Sequence, residues 1–221
     1  MFYSFWRSLV VGLARLLFGV RVRGKHRVPR RGVYILAPSH RSTLDIPFAA
    51  SVTLRRLRFM AKDEIFANRF WTWVFNELGA VPVNRDGTDR AAMRAIEGAL
   101  TGGEPVVIFP EGTRHEGAAL APLFSGAAYL SLKLGVPVVP VGIGGSEDAV
   151  VKYGRLSWWS RVSVVGGEPL YPPPLSGKTV KRSAITAMND ALRDRLQVCL
   201  DEAQEWSTER MQRAGRDRAG R

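Results

Sequence analysis

The sequence predicts a single α/β domain with one central, largely parallel or mixed sheet flanked by helices. An amphipathic helix precedes it at the N-terminus. Short apolar runs bounded by glycine or proline alternate with longer helical patterns, which is typical of a layered sheet. The chain has 221 residues, 46% of them hydrophobic, which is enough for one sizeable core. We expect residues 32–206 to form this domain, between a helix and basic segment at 1–31 and a disordered basic tail at 207–221.

The predicted elements alternate along the body of the chain. Strands are expected at 33–37, 58–61, 80–83, 105–109, 138–143 and 162–166. Helices are expected at 43–55, 63–78, 88–101, 126–134 and 179–205, the last after a proline-rich linker. The strand around Val138 contains two prolines, Pro137 and Pro140. Because proline cannot donate to a ladder, this strand is expected at a sheet edge or beside a bulge.

The composition excludes several classes of site. Cys199 is the only cysteine, which rules out a disulfide framework within the chain and a cysteine-based zinc site. The histidines are His26, His40 and His115, and no His-Glu-x-x-His pattern occurs. We therefore expect no metal ion.

The positive charge is concentrated at the two ends of the chain. The formal net charge is +12, of which residues 1–31 carry +8 and residues 207–221 carry +3. The body is therefore nearly neutral. Basic ends favour an anionic partner, either a membrane surface or a nucleic acid. The sequence contains no nucleic-acid-binding motif. We therefore expect a membrane as the partner and no nucleic acid.

The N-terminal segment 2–20 has the pattern of an amphipathic helix. On a helical wheel Ser4, Arg7, Ser8 and Arg15 fall within an arc of roughly 100°, and most of the remaining surface is aromatic or aliphatic. The apolar stretches are too short to span a bilayer. The pattern predicts a helix lying in the membrane interface, with the basic run 21–31 meeting anionic head groups. The alternative is a helix docked on the protein's own core.

Polar residues follow several of the predicted strands. His40 and Asp45 follow the first, and a histidine there is a candidate general base, although Ser42–Asp45 could instead be a helix capping box. Glu111 and Arg114 follow the strand 105–109, in the sequence Phe-Pro-Glu-Gly-Thr-Arg. Arg85 and Lys62 follow two further strands and are candidate phosphate ligands. Taken singly, each basic residue could equally be a solvated surface side chain.

Together these blocks resemble the PlsC-type glycerolipid acyltransferase family. Its signature contains an Asn-His-x-x-x-x-Asp block, a Gly-x-Ile-Phe-x-x-Arg block, a Phe-Pro-Glu-Gly-Thr-Arg block and a Val-Pro-x-x-Pro block. The corresponding sequences here are Ser-His-Arg-Ser-Thr-Leu-Asp, Gly-Ala-Val-Pro-Val-Asn-Arg, Phe-Pro-Glu-Gly-Thr-Arg and Val-Pro-Val-Val-Pro. The match covers roughly residues 30–170. The pairing of the first and third blocks is specific.

The resemblance implies transfer of an acyl chain from acyl-CoA, or from acyl carrier protein, to the hydroxyl of 1-acylglycerol-3-phosphate. No further cofactor is implied. In this family His40 would be the base and Asp45 would orient it and stabilise its charge. The acceptor would be held by the side chains or backbone of Lys62, Arg85, Glu111, Gly112, Thr113 and Arg114. The enzyme would sit peripherally or monotopically on the cytoplasmic face of the cell membrane.

Three positions depart from the family pattern. Ser39 replaces the usual asparagine, and its hydroxyl should still bind backbone. Asn84 stands where an acidic residue is common. Ser125 follows Phe124 where lysine is frequent, so one basic contact to the acceptor or to coenzyme A is expected to be missing. Another acceptor, such as glycerol 3-phosphate, a different lysophospholipid or a glycolipid, is therefore an open alternative.

Two aromatic clusters are candidates for an interfacial belt or an acyl groove, with core packing as the alternative. The first is on a predicted helix and comprises Phe66, Phe70, Trp71, Trp73 and Phe75. The second is the pair Trp158 and Trp159 in a predicted loop. A catalytically inactive membrane scaffold is a further alternative, against which the intact His40 and Asp45 argue.

Overall fold

The computed structural model describes residues 2–62, 66–83, 89–151, 155–157, 160–175 and 179–219. Its strands are β1 (Arg21–Arg23), β2 (Ile35–Pro38), β3 (Arg58–Lys62), β4 (Ala80–Val83), β5 (Val106–Val107), β6 (Val138–Gly144), β7 (Val150–Val151), β8 (Arg155–Leu156) and β9 (Ser163–Gly166). Its helices are α1 (Phe2–Phe18), α2 (Asp45–Ala50), α3 (Arg69–Glu77), α4 (Asp89–Thr101), α5 (Gly126–Leu134) and α6 (Arg182–Ala219). These confirm the predicted α/β fold and the six predicted strands.

A seven-stranded mixed sheet forms the centre of the molecule, in the order β1-β9-β6-β2-β5-β3-β4. Every neighbouring pair is parallel except β6 and β9. Strands β7 and β8 form a separate antiparallel pair. Because β2 and β5 are parallel neighbours, the loops that leave their carboxyl ends lie side by side. These loops carry the His40–Asp45 and Phe109–Arg114 blocks.

Two apolar layers cover the sheet, one on each face. Successive residues of β2 point to opposite sides: Leu36 packs with Phe18 of α1 and Phe48 of α2, whereas Ile35 packs with Ile96 of α4 and Leu192 of α6. All six side chains are buried. Helices α1 and α2 therefore lie on one face and α4 to α6 on the other, and the buried residues of a strand read as a continuous apolar run.

Helix α1 is both a core element and an exposed apolar surface. Val11, Ala14 and Phe18 are buried on its inner side. The opposite side exposes an outer stripe of large apolar side chains: Phe5, Leu9, Leu13 and Leu16. The docked interpretation is therefore confirmed for the inner side, and the membrane interpretation stays a prediction for the outer stripe. Among the described residues, no helix has the length and apolar character needed to cross a bilayer.

Arg7 departs from its predicted place on the polar face of α1. It is buried, and its guanidinium donates to the carbonyl oxygen of Ala50 at 2.8 Å and to that of Thr53. These carbonyls lie at and beyond the C-terminal end of α2, where the backbone lacks helical partners. Arg7 therefore docks α1 on α2, and burial lowers its pKa below the ordinary value.

The proline-containing strand β6 is interior, so its predicted edge position is wrong, but the predicted bulge is present. Val141 pairs with Gly166, whereas Val138 bridges to Leu170, so the partner segment holds one extra residue. The N–H donor that proline lacks would point into this interrupted ladder. Pro140 accepts there from the backbone N–H of Gly167 at 2.9 Å.

The C-terminal tail is helical, which corrects the prediction of disorder at 207–221 for its described part. Helix α6 continues to Ala219 and crosses the carboxyl end of β6. Ser207 is buried, and its hydroxyl donates to the carbonyl oxygen of Arg161 at 3.0 Å. Gly142 and Gly144 leave no room for a side chain against the α6 backbone, which explains the glycines of this strand.

Candidate active site

His40 and Asp45 meet at the carboxyl end of β2, as predicted. The His40 Nδ1 lies 2.9 Å from Asp45 Oδ2. The same oxygen accepts from the backbone N–H groups of Arg41 and Ser42, each at 2.6 Å, because residues 41–44 turn before α2 begins at Asp45. One oxygen of Asp45 therefore contacts both the imidazole and the backbone of this turn.

The surroundings of Asp45 fix the tautomer of His40. Asp45 is fully buried, and its Oδ2 accepts two backbone N–H bonds. An ionised carboxylate only accepts, so the Nδ1 of His40 donates to it and the Nε2 is the basic nitrogen. The imidazole also stacks on Phe109, with ring centroids 4.1 Å apart. These two contacts orient the ring.

A buried ion pair holds the two motif loops together. Arg41 Nη1 donates to both oxygens of Glu111, at 3.1 and 2.9 Å, and both side chains are inaccessible to solvent. Glu111 also accepts from the backbone N–H of His40 at 2.9 Å and from that of Ala121 at 3.1 Å. The predicted direct contact between Glu111 and the acceptor is therefore corrected: this carboxylate is enclosed and positions the loop that carries His40.

Ser39 and Gly112 support the backbone conformation around the site. The hydroxyl of buried Ser39 accepts from the backbone N–H of Ile143 at 3.0 Å, which meets the expectation for this substitution. Gly112 has φ of 70°, and a Cβ there would lie 2.6 Å from the Phe124 ring. Glycine therefore permits the tight turn at which the chain leaves Glu111.

The histidine lies at the wall of an open apolar cavity of about 1200 Å³. Helices α1 and α3 line one side through Trp6, Leu9, Leu13 and Trp71, and strand β3 contributes Phe59 and Met60. The outer stripe of α1 reaches the cavity mouth because Leu9 and Leu13 belong to both. The dimensions and lining suit a long apolar ligand.

Polar side chains gather on the histidine's side of this cavity. Arg114 is exposed, with its Nη1 3.4 Å from the hydroxyl of Thr43. Thr113 lies 3.0 Å from His115 through its hydroxyl and the Nε2 of the imidazole. The backbone N–H of His115 donates to the carbonyl oxygen of His40 at 3.0 Å. None of the sequence motifs includes His115, and only the proximity of the two loops reveals its place at the site.

The other two predicted basic ligands lie partly or wholly outside the described residues. Lys62 ends β3 on the same sheet edge, but its side chain lies outside the described residues, as does all of Arg85. The Trp158–Trp159 pair also lies outside them. Phe66, which precedes α3, and Phe75 of α3 pack against the core, whereas Phe70, Trp71 and Trp73 of α3 are exposed. The first aromatic cluster is therefore divided between the core and the surface.

Comparison with known proteins agrees with this geometry. Residues 19–144 match the Acyltransferase family model. The 1-acyl-sn-glycerol-3-phosphate acyltransferase of Bacillus subtilis is 26% identical over 195 residues, covering 88% of this chain and 94% of the relative. The lyso-ornithine lipid O-acyltransferase of Pseudomonas aeruginosa is 33% identical over 138 residues, covering 62% of this chain and 52% of the relative.

A solved structure has the same fold. It is the 1-acyl-sn-glycerophosphate acyltransferase PlsC of Thermotoga maritima, which aligns with a TM-score of 0.67 and 24% identity. The alignment covers 88% of this chain and 77% of that one.

We predict that Glu111→Gln is strongly destabilising. Removing one charge of a buried pair leaves Arg41 uncompensated, which should lower the free energy of unfolding by about 3 kcal/mol. The matched control is Glu168→Gln, which breaks the more exposed Arg27–Glu168 ion pair and should cost less than about 1 kcal/mol. Urea titration of both variants measures the difference, and equal losses would contradict the anchoring role.

Proposed function

The chain belongs to the acyltransferase family, and we propose that it transfers a fatty acyl chain from acyl-CoA or acyl carrier protein to the free hydroxyl of 1-acylglycerol-3-phosphate. The product would be phosphatidic acid. The observation that carries this proposal is the His40–Asp45 pair at the wall of a large apolar cavity, 2.9 Å apart and beside the exposed Arg114. The cavity suits an acyl chain, and the arginine suits the acceptor phosphate.

The reaction needs one base and no covalent enzyme intermediate. The Nε2 of His40 takes the proton from the acceptor hydroxyl while its oxygen attacks the thioester carbonyl carbon. Asp45 stabilises the imidazolium that forms, as the acid of a catalytic triad does. The carbon–sulfur bond then breaks, and His40 returns the proton to the departing thiolate. The ester and a free thiol are the products.

A second acceptor class has specific support. The relative from Pseudomonas aeruginosa is named for acylation of a lyso-ornithine lipid. Ser125 also removes a positive charge that the family often places after Phe124. An acceptor with a zwitterionic amino-acid head group is therefore the alternative, and it would depend less on Arg114.

Membrane attachment follows from the exposed apolar surface around the cavity. The outer stripe of α1 continues into the exposed aromatic residues of α3, because the Trp6 and Trp73 rings pack 5.9 Å apart. Phe5 and Leu16 are 63% and 65% exposed in water. This surface would lie in the interface of an anionic bilayer, so that lipid substrates enter the cavity laterally. A cytoplasmic-face location is part of the same proposal.

We predict that His40→Ala reduces acyl transfer by at least about 10²–10⁴-fold, because the general base is removed. Asp45→Asn should be nearly as severe, since the amide leaves the imidazolium unstabilised. Both rates are measured with labelled acyl donor and purified protein, and circular dichroism confirms the fold. A His40→Ala variant that keeps more than about a tenth of the rate would refute the mechanism.

We predict that Arg114→Gln discriminates between the two acceptor classes. A charge-assisted bond to phosphate contributes about 1.5–3 kcal/mol, so the KM for 1-acylglycerol-3-phosphate should rise roughly 10–150-fold. The KM for the acyl donor should change little. The panel compares this acceptor with glycerol 3-phosphate and lyso-ornithine lipid. Preference of the unaltered enzyme for lyso-ornithine lipid would replace the proposed substrate with the alternative.

We predict that replacing Phe5 and Leu16 together by serine weakens binding to anionic vesicles. Each side chain contributes about 1.5 kcal/mol when buried in lipid, so binding should fall by about 100-fold. The control is Val198→Ser, a 66% exposed apolar position on α6. Co-sedimentation with vesicles measures binding. Unchanged binding of the double variant would remove α1 as the attachment surface.

A further inference from the structure

Five arginines surround a second cavity, of about 300 Å³, where α6 passes β1. They are Arg21, Arg23, Arg161, Arg210 and Arg213, and Trp206 and Ala214 are the apolar residues of the lining. Among the described residues that line it, Glu209 is the only acidic one. It interacts with Arg213 at 3.7 Å, and Arg23 is paired with Glu202 at 3.3 Å. The described lining therefore has an excess of positive charge.

Arg210 is held at this cavity without a recorded carboxylate partner. It is buried, and its guanidinium donates to the carbonyl oxygens of Gly19, Arg161 and Val162 and to the hydroxyl of Ser163. All four acceptors are neutral. Burial and the nearby charges of Arg21 and Arg161 lower the pKa of Arg210 to about 10. An anion in the cavity would relieve this repulsion.

The backbone at Arg161 also indicates a functional constraint. Its φ is 59°, and it is the only non-glycine residue with positive φ among those described. The left-handed region strains the backbone of a residue that has a Cβ. It places the Arg161 carbonyl oxygen where both Ser207 and Arg210 donate to it.

The cavity opens at the same sheet edge as His40. Gly144 at the carboxyl end of β6 pairs with Ser163, which in turn pairs with Arg21. Three strand spacings separate β2 from β1, which is roughly 14 Å. The pantetheine arm of coenzyme A has about as many backbone bonds as four extended residues and therefore spans about 14 Å. A thioester at His40 would thus have its phosphates near the arginines.

We propose that this arginine cavity binds the 3′-phosphoadenosine diphosphate end of coenzyme A. This inference rests on the proposed function, because it assigns a site to the carrier of the acyl group. The ligand carries three phosphate groups, which matches the excess of guanidinium charge. Arg23 stacks on Trp206 at 4.0 Å from the ring centroid, which provides a planar surface for adenine. A lipid head group fits less well, because Trp206 and Ala214 offer little surface for its acyl chains.

The test uses two exposed arginines whose removal spares the buried contacts of Arg210. The variants are Arg21→Gln and Arg213→Gln, and the control is Arg182→Gln, an exposed arginine at the other end of α6. Calorimetry with adenosine 3′,5′-bisphosphate at low salt should show binding to the unaltered protein. Binding should weaken about fivefold to tenfold in each cavity variant and stay unchanged in the control. No binding, or equal binding by all proteins, would overturn the inference.

A truncated donor adds a kinetic readout. The KM for acyl-CoA should rise by the same factor in Arg21→Gln and Arg213→Gln with little change in kcat, whereas the KM for acyl-pantetheine should not change because it lacks the nucleotide. A rise for both donors would assign a structural role to the arginines and overturn the inference. So would weaker binding to phosphatidylglycerol vesicles with unchanged nucleotide binding, which would make the cavity a head-group site. The calorimetric result requires no acyl transfer, so it fails or succeeds independently of the proposed function.

Discussion

Arg41 and Glu111 form an ion pair from which water is excluded, and the catalytic geometry depends on it. The pair connects the loop after β2 to the loop after β5, and the spare acceptor capacity of Glu111 is taken up by the backbone N–H groups of His40 and Ala121. An apolar pair could fill the same volume at equal or better stability. Such a pair could not accept a hydrogen bond from the backbone N–H of His40. The charged pair therefore orients the loop that carries His40, whereas apolar packing would only hold the two loops together.

Sequence patterns predict well those features that are set by local spacing. The six strands of the body and the meeting of His40 with Asp45 follow from short apolar runs and from a turn between two polar residues. The role of Glu111 does not follow in the same way. Its partner Arg41 lies 70 residues away and belongs to the other motif, so the direction of the carboxylate is decided by the pairing of β2 with β5.

The helix ends illustrate a different limit of prediction. A helical wheel places Arg7 on a polar face, but the carbonyl groups at the end of α2 offer it hydrogen bonds that no wheel contains. Residues 207–219 have an arginine-rich composition typical of disorder. They form a helix that Arg210 docks on the fold by donating to Val162 and Ser163 at the start of β9 and to Gly19 just after α1. In both cases a charged side chain is retained inside the fold by backbone carbonyls, which leave no trace in composition.

The hydrogen bond between Arg210 and the carbonyl oxygen of Gly19 joins residues 191 positions apart. During synthesis α1 leaves the ribosome long before the residues of α6 that close over its C-terminal end. Until then α1 has two apolar faces, and native packing partners are available for only one of them. The outer stripe of α1 is therefore exposed in the growing chain well before α6 secures the C-terminal end of that helix.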